Sequence, residues 1–536
     1  MNHKEFYLTT GKKDFEDLFC PLGGIRVDPD EGTTILIEGS AGVGKTTLAI
    51  EMIKNAILNN KSKCLYYIFD QTSKEIRLLL ENFSWDDNIK IAEYQWYDIN
   101  NKKDNLEDDF IIIETRSLDQ LQSQLSSIKE HSKRLVNCNN RIIVIDSIGV
   151  NSKLSQLDRE TFSIMLNDFK DTKSIIFLIR EKDKDISITQ NEYLTNVVID
   201  LQVQKADLIH NLQGGAYTTT IEIKKTRNQP SIRGPHECTI KSSKNNNFSD
   251  SKNTGFIVYP SLQSIAQINE LSRIKDEKVD ENVDRALFYL EPLDTHIGED
   301  GQKGIPYGQT ILLKGPPGNH KTDLSLKFLF GNWDNERDLK SINERTLFVS
   351  CRLDKAALKT NELFKGKKTF QKFFFENMVF FDARESYKTP EMIMSLIKEK
   401  VEENQKKPIK RAVIFGIGML ETLPMFRGSA LNFLQVLLSY FKTAMITSIW
   451  VDWMLSHDRT DKGGPPLLQT EFASHLVAAE LTVEYLQPNE ENTTIDVIKE
   501  ENPQAILKLT RKNYRSYKKD LGILRMVNNE LNLTPQ

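Results

Sequence analysis

The sequence predicts an α/β protein with two tandem domains, each containing a mostly parallel sheet flanked by helices. The chain has 536 residues, which is too many for one ordinary hydrophobic core. It also repeats one order of features, because an apolar run opens into a glycine-rich loop that ends in Lys-Thr at Lys45 and again at Lys321. These observations divide the chain into a first domain at 1–262, a linker at 263–285 and a second domain at 286–536.

Short apolar runs follow each loop and alternate with segments of helical periodicity, such as Leu48 to Leu58. Strands that alternate with helices are typical of a parallel sheet covered on both faces. The predicted strands of the first half cover residues 64–69, 141–146, 174–179 and 196–201, and those of the second half cover 346–350, 411–415, 444–451, 476–483 and 505–510.

Composition narrows the class of protein. Hydrophobic residues make up 39% and charged residues 27% of the chain, and no apolar stretch reaches the roughly 18 to 20 residues of a membrane span. The start carries no secretory signal, and five cysteines without a CxxC pair argue against zinc and disulfides, so we expect a cytoplasmic protein. A net charge of -4 gives no overall reason to bind nucleic acid, although a local patch stays open.

The loop of the first half meets the pattern G-x-x-x-x-G-K-[ST] in full, between a strand and a helix. Its residues are Gly39, Ser40, Ala41, Gly42, Val43, Gly44, Lys45 and Thr46, and Thr47 follows. Bent backbone and a helix N-terminus direct N–H groups at phosphates, while Lys45 would neutralise the β- and γ-phosphates and Thr46 would hold magnesium. The alternative is a strand-to-helix turn without a ligand, but such a turn has no need of Lys-Thr.

Asp146 ends the apolar strand 141–146. An acid at this position holds magnesium through a water molecule in nucleotide-binding sites of this kind. The alternative is an aspartate in an ordinary turn after a strand.

These motifs resemble the KaiC-type branch of the RecA superfamily. The resemblance is carried by the loop, the strand-end acid in RIIVIDSIG, the segment EYLTNVV at 192–198 and, in the second half, GIPYGQT at 304–310. It extends over residues 10–262 and 286–520. It implies two RecA-like domains, ATP with Mg²⁺, a homo-oligomer in the form of a hexameric ring, and a protein partner.

The resemblance also implies how hydrolysis would work. Family members place two adjacent glutamates after the second strand, where one activates the attacking water, and here Asp70 and Gln71 stand in those places. Aspartate is one methylene shorter and glutamine cannot take a proton, so we expect slow hydrolysis or a repositioned Asp70. Alternatively, Asp70 is a helix N-cap that competes with Thr72 and Ser73.

Two basic residues match the family's contacts to the nucleotide of a neighbouring subunit. They are Lys225 and Arg227, in a late strand. Such a cation stabilises charge on the transferred phosphoryl group only across an interface. The alternative is an exposed basic strand end.

The second half keeps Lys321 and Thr322 as candidate nucleotide-binding residues but departs from the pattern at three places. His320 replaces the glycine before the lysine, Gly416 stands where the strand-end acid is expected, and Asp354 is the nearest acid to the position of the paired glutamates. We interpret this half as a pseudo-ATPase domain.

Three functions stay open. The first is a regulatory ATPase whose occupancy or slow hydrolysis controls ring assembly and partner binding, and the second is a nucleotide-gated scaffold without turnover. The third is a DNA recombination or repair ATPase, which is not favoured because the loops 151–160 and 181–191 mix acids with bases. The basic run 508–519 could contact nucleic acid, or could form a late strand pair at a subunit interface.

Overall fold

The structure is a computed structural model of the chain. It describes residues 6–19, 21–69, 71–102, 104–115, 121–148, 172–182, 194–205, 217–242, 254–273, 285–298, 301–316, 320–330, 344–384, 388–404, 406–453, 473–485, 505–512, 515–527 and 530–534. The chain divides into two compact units, Met1–Ser264 and Ile265–Gln536. No helix among the described residues has the length and apolar character needed to cross a membrane.

The first unit contains one large sheet and one separate pair of strands. Its strands are β1 (Phe6–Leu8), β2 (Ile25–Val27), β3 (Thr33–Gly39), β4 (Lys63–Ile68), β5 (Ile91–Gln95), β6 (Phe110–Glu114), β7 (Arg141–Ile148), β8 (Ile175–Glu181), β9 (Val197–Lys205), β10 (Tyr217–Thr226), β11 (Pro235–Lys241) and β12 (Gly255–Tyr259). Within the described residues the sheet order is β12-β11-β10-β9-β3-β8-β7-β4-β6-β5, and β1 pairs separately with β2. Pairing is parallel from β9 to β5 and antiparallel from β9 to β12.

Helices cover both faces of this sheet. They are α1 (Lys13–Asp17), α2 (Lys45–Asn60), α3 (Ser73–Asn82), α4 (Trp96–Asn101) and α5 (Leu121–Lys133). Alternate residues of β3 face opposite sides, because Ile35 and Ile37 belong to the apolar cluster that includes α2, whereas Leu36 belongs to the cluster that includes Ile128 of α5. The central strands are therefore apolar on both faces, which is why they read as continuous hydrophobic runs.

The second unit repeats this arrangement. After α6 (Leu262–Arg273), its strands are β13 (Arg285–Ala286), β14 (Ile305–Pro306), β15 (Thr310–Gly315), β16 (Arg345–Ser350), β17 (Met378–Asp382), β18 (Ile409–Phe415), β19 (Thr447–Trp453), β20 (Ala479–Tyr485), β21 (Ala505–Lys512), β22 (Arg515–Val527) and β23 (Glu530–Thr534). Its helices are α7 (Glu291–Ile297), α8 (Lys321–Phe330), α9 (Lys355–Lys359), α10 (Lys368–Asn377), α11 (Pro390–Glu402) and α12 (Ala430–Thr443), with short 3-10 helices at Glu362–Phe364, Ile417–Thr422 and Pro424–Phe426.

The sheet of the second unit has the order β17-β16-β18-β19-β15-β20-β21-β22-β23 in the part of the chain that is described, and β13 pairs with β14. The pairing is parallel from β17 to β20 and antiparallel beyond β20. The predicted fold class, two tandem RecA-like α/β domains, is confirmed. Each predicted strand run overlaps an observed strand, whereas β5, β6 and most of the antiparallel strands were not predicted.

A buried carboxylate joins the loop-bearing helix α2 to both ends of the first unit. Glu51 is 4% exposed, forms an ion pair with Lys12 and accepts a hydrogen bond from the Phe256 amide at 2.7 Å. Burial lowers the pKa of Lys12 and raises the pKa of Glu51, so each group relies on the other to stay charged. The pair thus connects residues that are more than 200 positions apart.

Replacing Glu51 tests this connection. We expect Glu51→Ala to destabilise the first unit by about 3 kcal/mol, because Lys12 and the Phe256 amide lose their buried partner. Hydrogen exchange followed by mass spectrometry would show faster exchange in α2 and β12. Glu81→Ala, which removes an exposed carboxylate of α3, is the control, and equal exchange in the two variants would contradict the expectation.

Candidate nucleotide site

The loop of the first unit has a backbone that a side chain would disturb. Gly44 precedes α2 with φ +96°, in the left-handed region that glycine adopts at low cost. A Cβ there would also lie 2.4 Å from Cδ1 of Ile240. The glycine before the lysine is therefore favoured by its conformation, whereas the end of the exposed Ile240 side chain could move aside.

Lys45 holds the beginning of the loop. Its side chain is buried, and Nζ donates to the carbonyl oxygens of Gly39 at 2.9 Å and Ser40 at 2.7 Å. Burial lowers the pKa of Lys45, while the charges of Glu181 and Asp146 oppose that shift. A phosphate placed in the loop would give this desolvated ammonium a full negative charge in place of two neutral carbonyls.

The remaining loop residues differ in exposure. Ala41 and Gly42 are exposed, and Ser40 and Thr46 are partly buried. Val43 and Thr47 are buried at 3% and 7% exposure. The side chain of Val43 belongs to the apolar cluster of the first unit and anchors the loop there.

Thr46 and Asp146 come together at the start of α2, as the motif predicts. Thr46 Oγ1 donates to Oδ2 of Asp146 at 2.9 Å, and Asp146 is 2% exposed. The hydroxyl of Tyr66 donates to the same carboxylate oxygen at 2.6 Å, and burial together with the charge of Asp146 raises the pKa of Tyr66 well above its usual value. Two hydroxyls and a carboxylate are hard oxygen donors, the kind that magnesium prefers.

The structure settles one alternative for the residues after β4. Asp70 lies outside the described residues, and Gln71 is exposed. The N-cap of α3 is Thr72, whose hydroxyl accepts from the Glu75 amide while the Glu75 side chain accepts from the Thr72 amide. The hypothesis that Asp70 caps this helix is therefore wrong, and Thr72 has that role.

A cluster of charged residues lies behind the loop, on the face of the sheet opposite α2. This buried charge cluster comprises Glu38, Arg180, Lys182, Asp200 and Lys224. Glu38 pairs with Arg180, with Lys182 at 2.9 Å and with Lys224 at 3.8 Å, and Asp200 pairs with Lys224 and with Lys182 at 3.3 Å. Both carboxylates have fully buried side chains.

The cations of this cluster keep Asp200 ionised. Burial by itself would raise the pKa of Asp200, but hydrogen bonds from Lys224 and Gln202 and the charges of both lysines outweigh burial and lower it. Burial by itself would lower the pKa of Lys182, but its hydrogen bond to Glu38 and the charges of Glu38 and Asp200 outweigh burial and raise it. The cluster therefore fixes the relative positions of β3, β8, β9 and β10 just below the loop.

A β-bulge places two neighbouring lysines on one face of the sheet. Ile223 pairs with Ile199, but the next pair is Lys225 with Val198, so Lys224 is the extra residue. Since cross-strand partners share a face, Lys225 lies on the same face as Val198 and the buried charge cluster. Without the bulge, Lys225 would face α2.

The two candidate trans-acting residues differ in surroundings. Lys225 Nζ donates to the carbonyl oxygen of Thr195 at 2.7 Å and is partly buried. Arg227 is exposed, and its amide donates to Asn196 at 2.9 Å. Both residues thus lie at the end of β10 where the strand leaves the sheet, and their contact with a neighbouring subunit stays a prediction.

Strand register changes one assignment in the second unit. Gly39 pairs with Glu181 in the first unit, and Gly315 pairs with Trp453 in the second, so these two pairs correspond. Two residues earlier, Ile179 corresponds to Val451. Asp146 pairs with Ile179 and Phe415 pairs with Val451, so Asp146 corresponds to Phe415. The residue in place of the strand-end acid is therefore Phe415 rather than Gly416.

Phe415 has an aromatic partner in the second unit. By the same register Tyr66 corresponds to Phe348, and the rings of Phe348 and Phe415 stack with centroids 5.9 Å apart. Both rings are buried. An apolar stack has thus replaced the hydrogen bond between Tyr66 and Asp146.

The loop of the second unit retains its lysine and its left-handed turn. Lys321 Nζ donates to Gly315 at 2.6 Å and to Pro316, in the manner of Lys45, and Thr322 follows it, partly buried. His320 adopts φ +60°, as glycine would, and its Nδ1 lies 2.8 Å from Oδ2 of Asp323. The substitution of histidine for glycine therefore keeps the backbone conformation at some cost in strain.

Asp354 has a structural role. Its carboxylate accepts from the Ala357 amide at 2.6 Å as the N-cap of α9. Ile68 of β4 pairs with Asp146, and Ser350 of β16 pairs with Phe415. Counted from these strand ends along the sequence, Arg352 and Leu353 match Asp70, which lies outside the described residues, and Gln71. The position of the paired glutamates therefore holds a cation in this unit.

Some predicted features cannot be placed. The loops 151–160 and 181–191 fall almost wholly outside the described residues. The basic run 508–519 lies on β21 and β22, which pair with each other, so it forms the late strand pair that was one of its two interpretations. Whether this pair contacts another subunit or nucleic acid stays open to experiment.

Sequence reasoning missed Tyr66, the buried charge cluster and the substitution at Phe415. Tyr66 lies two residues before the end of its strand, on the same face as Ile68, but only the pairing of Ile68 with Asp146 brings its hydroxyl to that carboxylate. The cluster combines residues from four strands whose lateral order the sequence does not show. Phe415 required the pairing register, since the strand sequences beginning at Arg141 and Arg411 match with Gly416, one residue later, in the place of Asp146.

Comparison with known proteins agrees with this geometry. A family model described as "ATPase: KaiC" matches residues 8–247 and 288–463, which is most of the chain. Among curated proteins, the circadian clock oscillator protein KaiC of Parathermosynechococcus lividus is 24% identical over 336 residues, covering 61% of this chain and 53% of that protein. The match therefore spans about half the length of this relative. The chain belongs to the KaiC family of ATPases.

Proposed function

We propose that the first unit binds Mg-ATP at Gly39 to Thr46 and that occupancy or slow hydrolysis of this ATP controls ring assembly and partner binding. The observation that carries the proposal is the contact of Thr46 with Asp146 beside the buried amine of Lys45. A strand-to-helix turn without a ligand has no need of a buried lysine on which the charge of a buried aspartate acts. The ring and the partner rest on membership of the family alone.

Each residue has a defined task in this function. Lys45 would release the carbonyls of Gly39 and Ser40 and bind phosphate oxygens, and the amides of the loop would bind the others. When bound, magnesium supplies positive charge at the phosphates, and Thr46 and Asp146 are the residues that would hold it. Tyr66 keeps the carboxylate of Asp146 oriented through its hydrogen bond.

Hydrolysis in this proposal depends on residues at two other places. Asp70 would accept a proton from the attacking water, and Gln71 would orient that water. Lys225 and Arg227 would stabilise the charge of the transition state on the nucleotide of an adjacent subunit. Assembly and turnover would then be coupled, because a separated subunit lacks the cations that its neighbour supplies.

Lys45→Ala tests nucleotide binding. We expect the Mg²⁺-dependent component of ATP binding to weaken roughly tenfold to a hundredfold, because a charge-assisted contact to phosphate is lost. Equilibrium dialysis with labelled ATP, with Mg²⁺ and with EDTA, measures this component, and analytical ultracentrifugation follows assembly in the same samples. Lys90→Ala removes an exposed lysine as a control. Assembly that does not respond to ATP in the wild type would sink the regulatory part of the proposal.

Asp70→Asn tests whether ATP is turned over. We expect the single-turnover rate of ATP hydrolysis to fall about a hundredfold, because asparagine cannot accept the proton that a carboxylate accepts as general base. The control Asp87→Asn removes an exposed carboxylate before β5 and should keep the wild-type rate. Equal, uncatalysed rates in the wild type and Asp70→Asn would favour the alternative function, a nucleotide-gated scaffold that does not hydrolyse ATP.

Asp200→Asn tests whether the buried charge cluster positions Lys225. The variant keeps the side-chain shape but removes the charge that pairs with Lys224 at the bulge. We expect kcat to fall about tenfold with KM for ATP nearly unchanged, since the partner of Asp200 is Lys224, the neighbour of Lys225 in the bulge. The control Asp30→Asn breaks an exposed ion pair with Lys173, which contributes little. A parallel change in kcat and KM would mean that Asp200 has only a general structural role.

A further inference from the structure

The second unit has lost the two carboxylates of the first site and gained a cation. Phe415 stands in the place of Asp146. Arg352 follows the end of β16 by as many residues as Asp70 follows the end of β4 in the sequence. The loop lysine, Lys321, is 4% exposed and keeps the same two backbone contacts as Lys45. Phe415 and Arg352 thus bring no carboxylate to this site, although the charge of Asp452 still acts on Lys321.

The segment that carries Arg352 is held firmly after β16. Ser350 Oγ accepts from the amides of Arg352 at 3.3 Å and Leu353 at 2.8 Å. Nη1 of Arg384 donates to the carbonyl oxygen of Arg352 at 2.9 Å, and its Nε and Nη2 donate to the carboxylate of Asp382. Arg352 therefore projects from a fixed backbone at the carboxyl edge of the sheet, the edge where the loop also lies.

Arg352 and Lys321 are close enough to influence each other. Burial lowers the pKa of Lys321 to about 8, and the charge of Arg352 adds to this shift while Asp452 opposes it. An anion between the two cations would relieve both the repulsion and the desolvation. This is the electrostatic condition for binding a phosphate group.

Asp452 does not replace the missing acid. Asp452 is the cross-strand partner of Lys314, as Arg180 is the cross-strand partner of Glu38 in the first unit. It comes directly after Val451 in β19, so its side chain lies on the face of the sheet opposite α8. Its side chain is fully buried, and Oδ1 accepts from the Gly418 amide at 3.2 Å. The aromatic side chains at the position of the acid offer no oxygen, so this site does not suit magnesium.

We propose that the second unit binds a diphosphate group without a divalent cation, with Lys321 and Arg352 supplying the positive charge that magnesium supplies elsewhere. Arg352 provides a planar set of donors that matches phosphate oxygens. Thr322 and the amides at the start of α8 contribute neutral donors. The ligand is the diphosphate of a nucleotide or free pyrophosphate, and no hydrolysis accompanies binding because the position of the general base holds a cation. The inference is independent of the function proposed for the first unit.

The experiment uses the full chain with Lys45→Ala, which weakens binding at the first loop. Equilibrium dialysis measures binding of labelled ADP and of labelled pyrophosphate, each in EDTA and in Mg²⁺. We expect binding in EDTA to equal or exceed binding in Mg²⁺, since bound magnesium neutralises the charge that the two cations recognise. If ADP binds more tightly than pyrophosphate, the ligand is a nucleotide. If pyrophosphate binds more tightly than ADP, the ligand is free pyrophosphate.

Further substitutions in this background assign the binding to the site. Lys321→Ala and Arg352→Ala should each weaken binding in EDTA about tenfold or more, and Arg352→Lys should restore part of it. Lys442→Ala is the matched control, because it removes one exposed charge at the opposite edge of the same sheet. Hydrogen exchange of β16 and α8 checks that each variant is folded.

Three results would overturn the inference. They are no binding in the Lys45→Ala background, binding that appears only with Mg²⁺, and binding that Arg352→Ala leaves unchanged. If Asp452→Asn removed an Mg²⁺-dependent component, Asp452 would be the acid of a magnesium site after all. None of these results would affect ATP binding by the wild type that depends on Mg²⁺ and on Lys45. Failure of this inference is therefore separate from failure of the function proposed for the first unit.

Discussion

The contact between Thr46 and Asp146 depends on the register of parallel strands. Asp146 ends β7, Thr46 starts the helix after β3, and β8 lies between the two strands. Parallel pairing brings the carboxyl ends of all three strands to one edge, so a strand-end acid meets a helix N-terminus 100 residues away in sequence. A shift of one residue in any pairing would turn Asp146 to the other face.

The duplicated sheet shows how one framework can retain its shape while its chemistry changes. Both units place a lysine on the carbonyls of the loop, and both have a bulge on the strand after the parallel set. In the first unit Lys224 occupies the bulge, paired with Asp200, and in the second unit Thr510 occupies it, hydrogen-bonded to Thr482 at 3.2 Å. Backbone geometry is thus common to the two units, whereas the side chains at equivalent positions are ionic in one and neutral in the other.

The buried charge cluster explains why such a framework tolerates different charges at its edge. Glu38 has three cationic neighbours, while at its equivalent position Lys314 pairs with Glu480 at 3.1 Å. Each arrangement is internally paired, which is the requirement for burying charge. Loss of Glu38 would leave Arg180 without this buried partner, because Arg180 pairs with it directly.

The duplicated α/β fold, the phosphate loop and the acid at the end of β7 can be predicted from the amino-acid sequence, because each is a local pattern of apolar runs, glycines and a fixed spacing. The folded chain was needed to show that Tyr66 orients Asp146, that Thr72 rather than Asp70 caps α3, and that Phe415 rather than Gly416 stands in the place of the acid. Lateral strand order and pairing register are set by contacts between residues distant in sequence, and a local pattern carries no record of them.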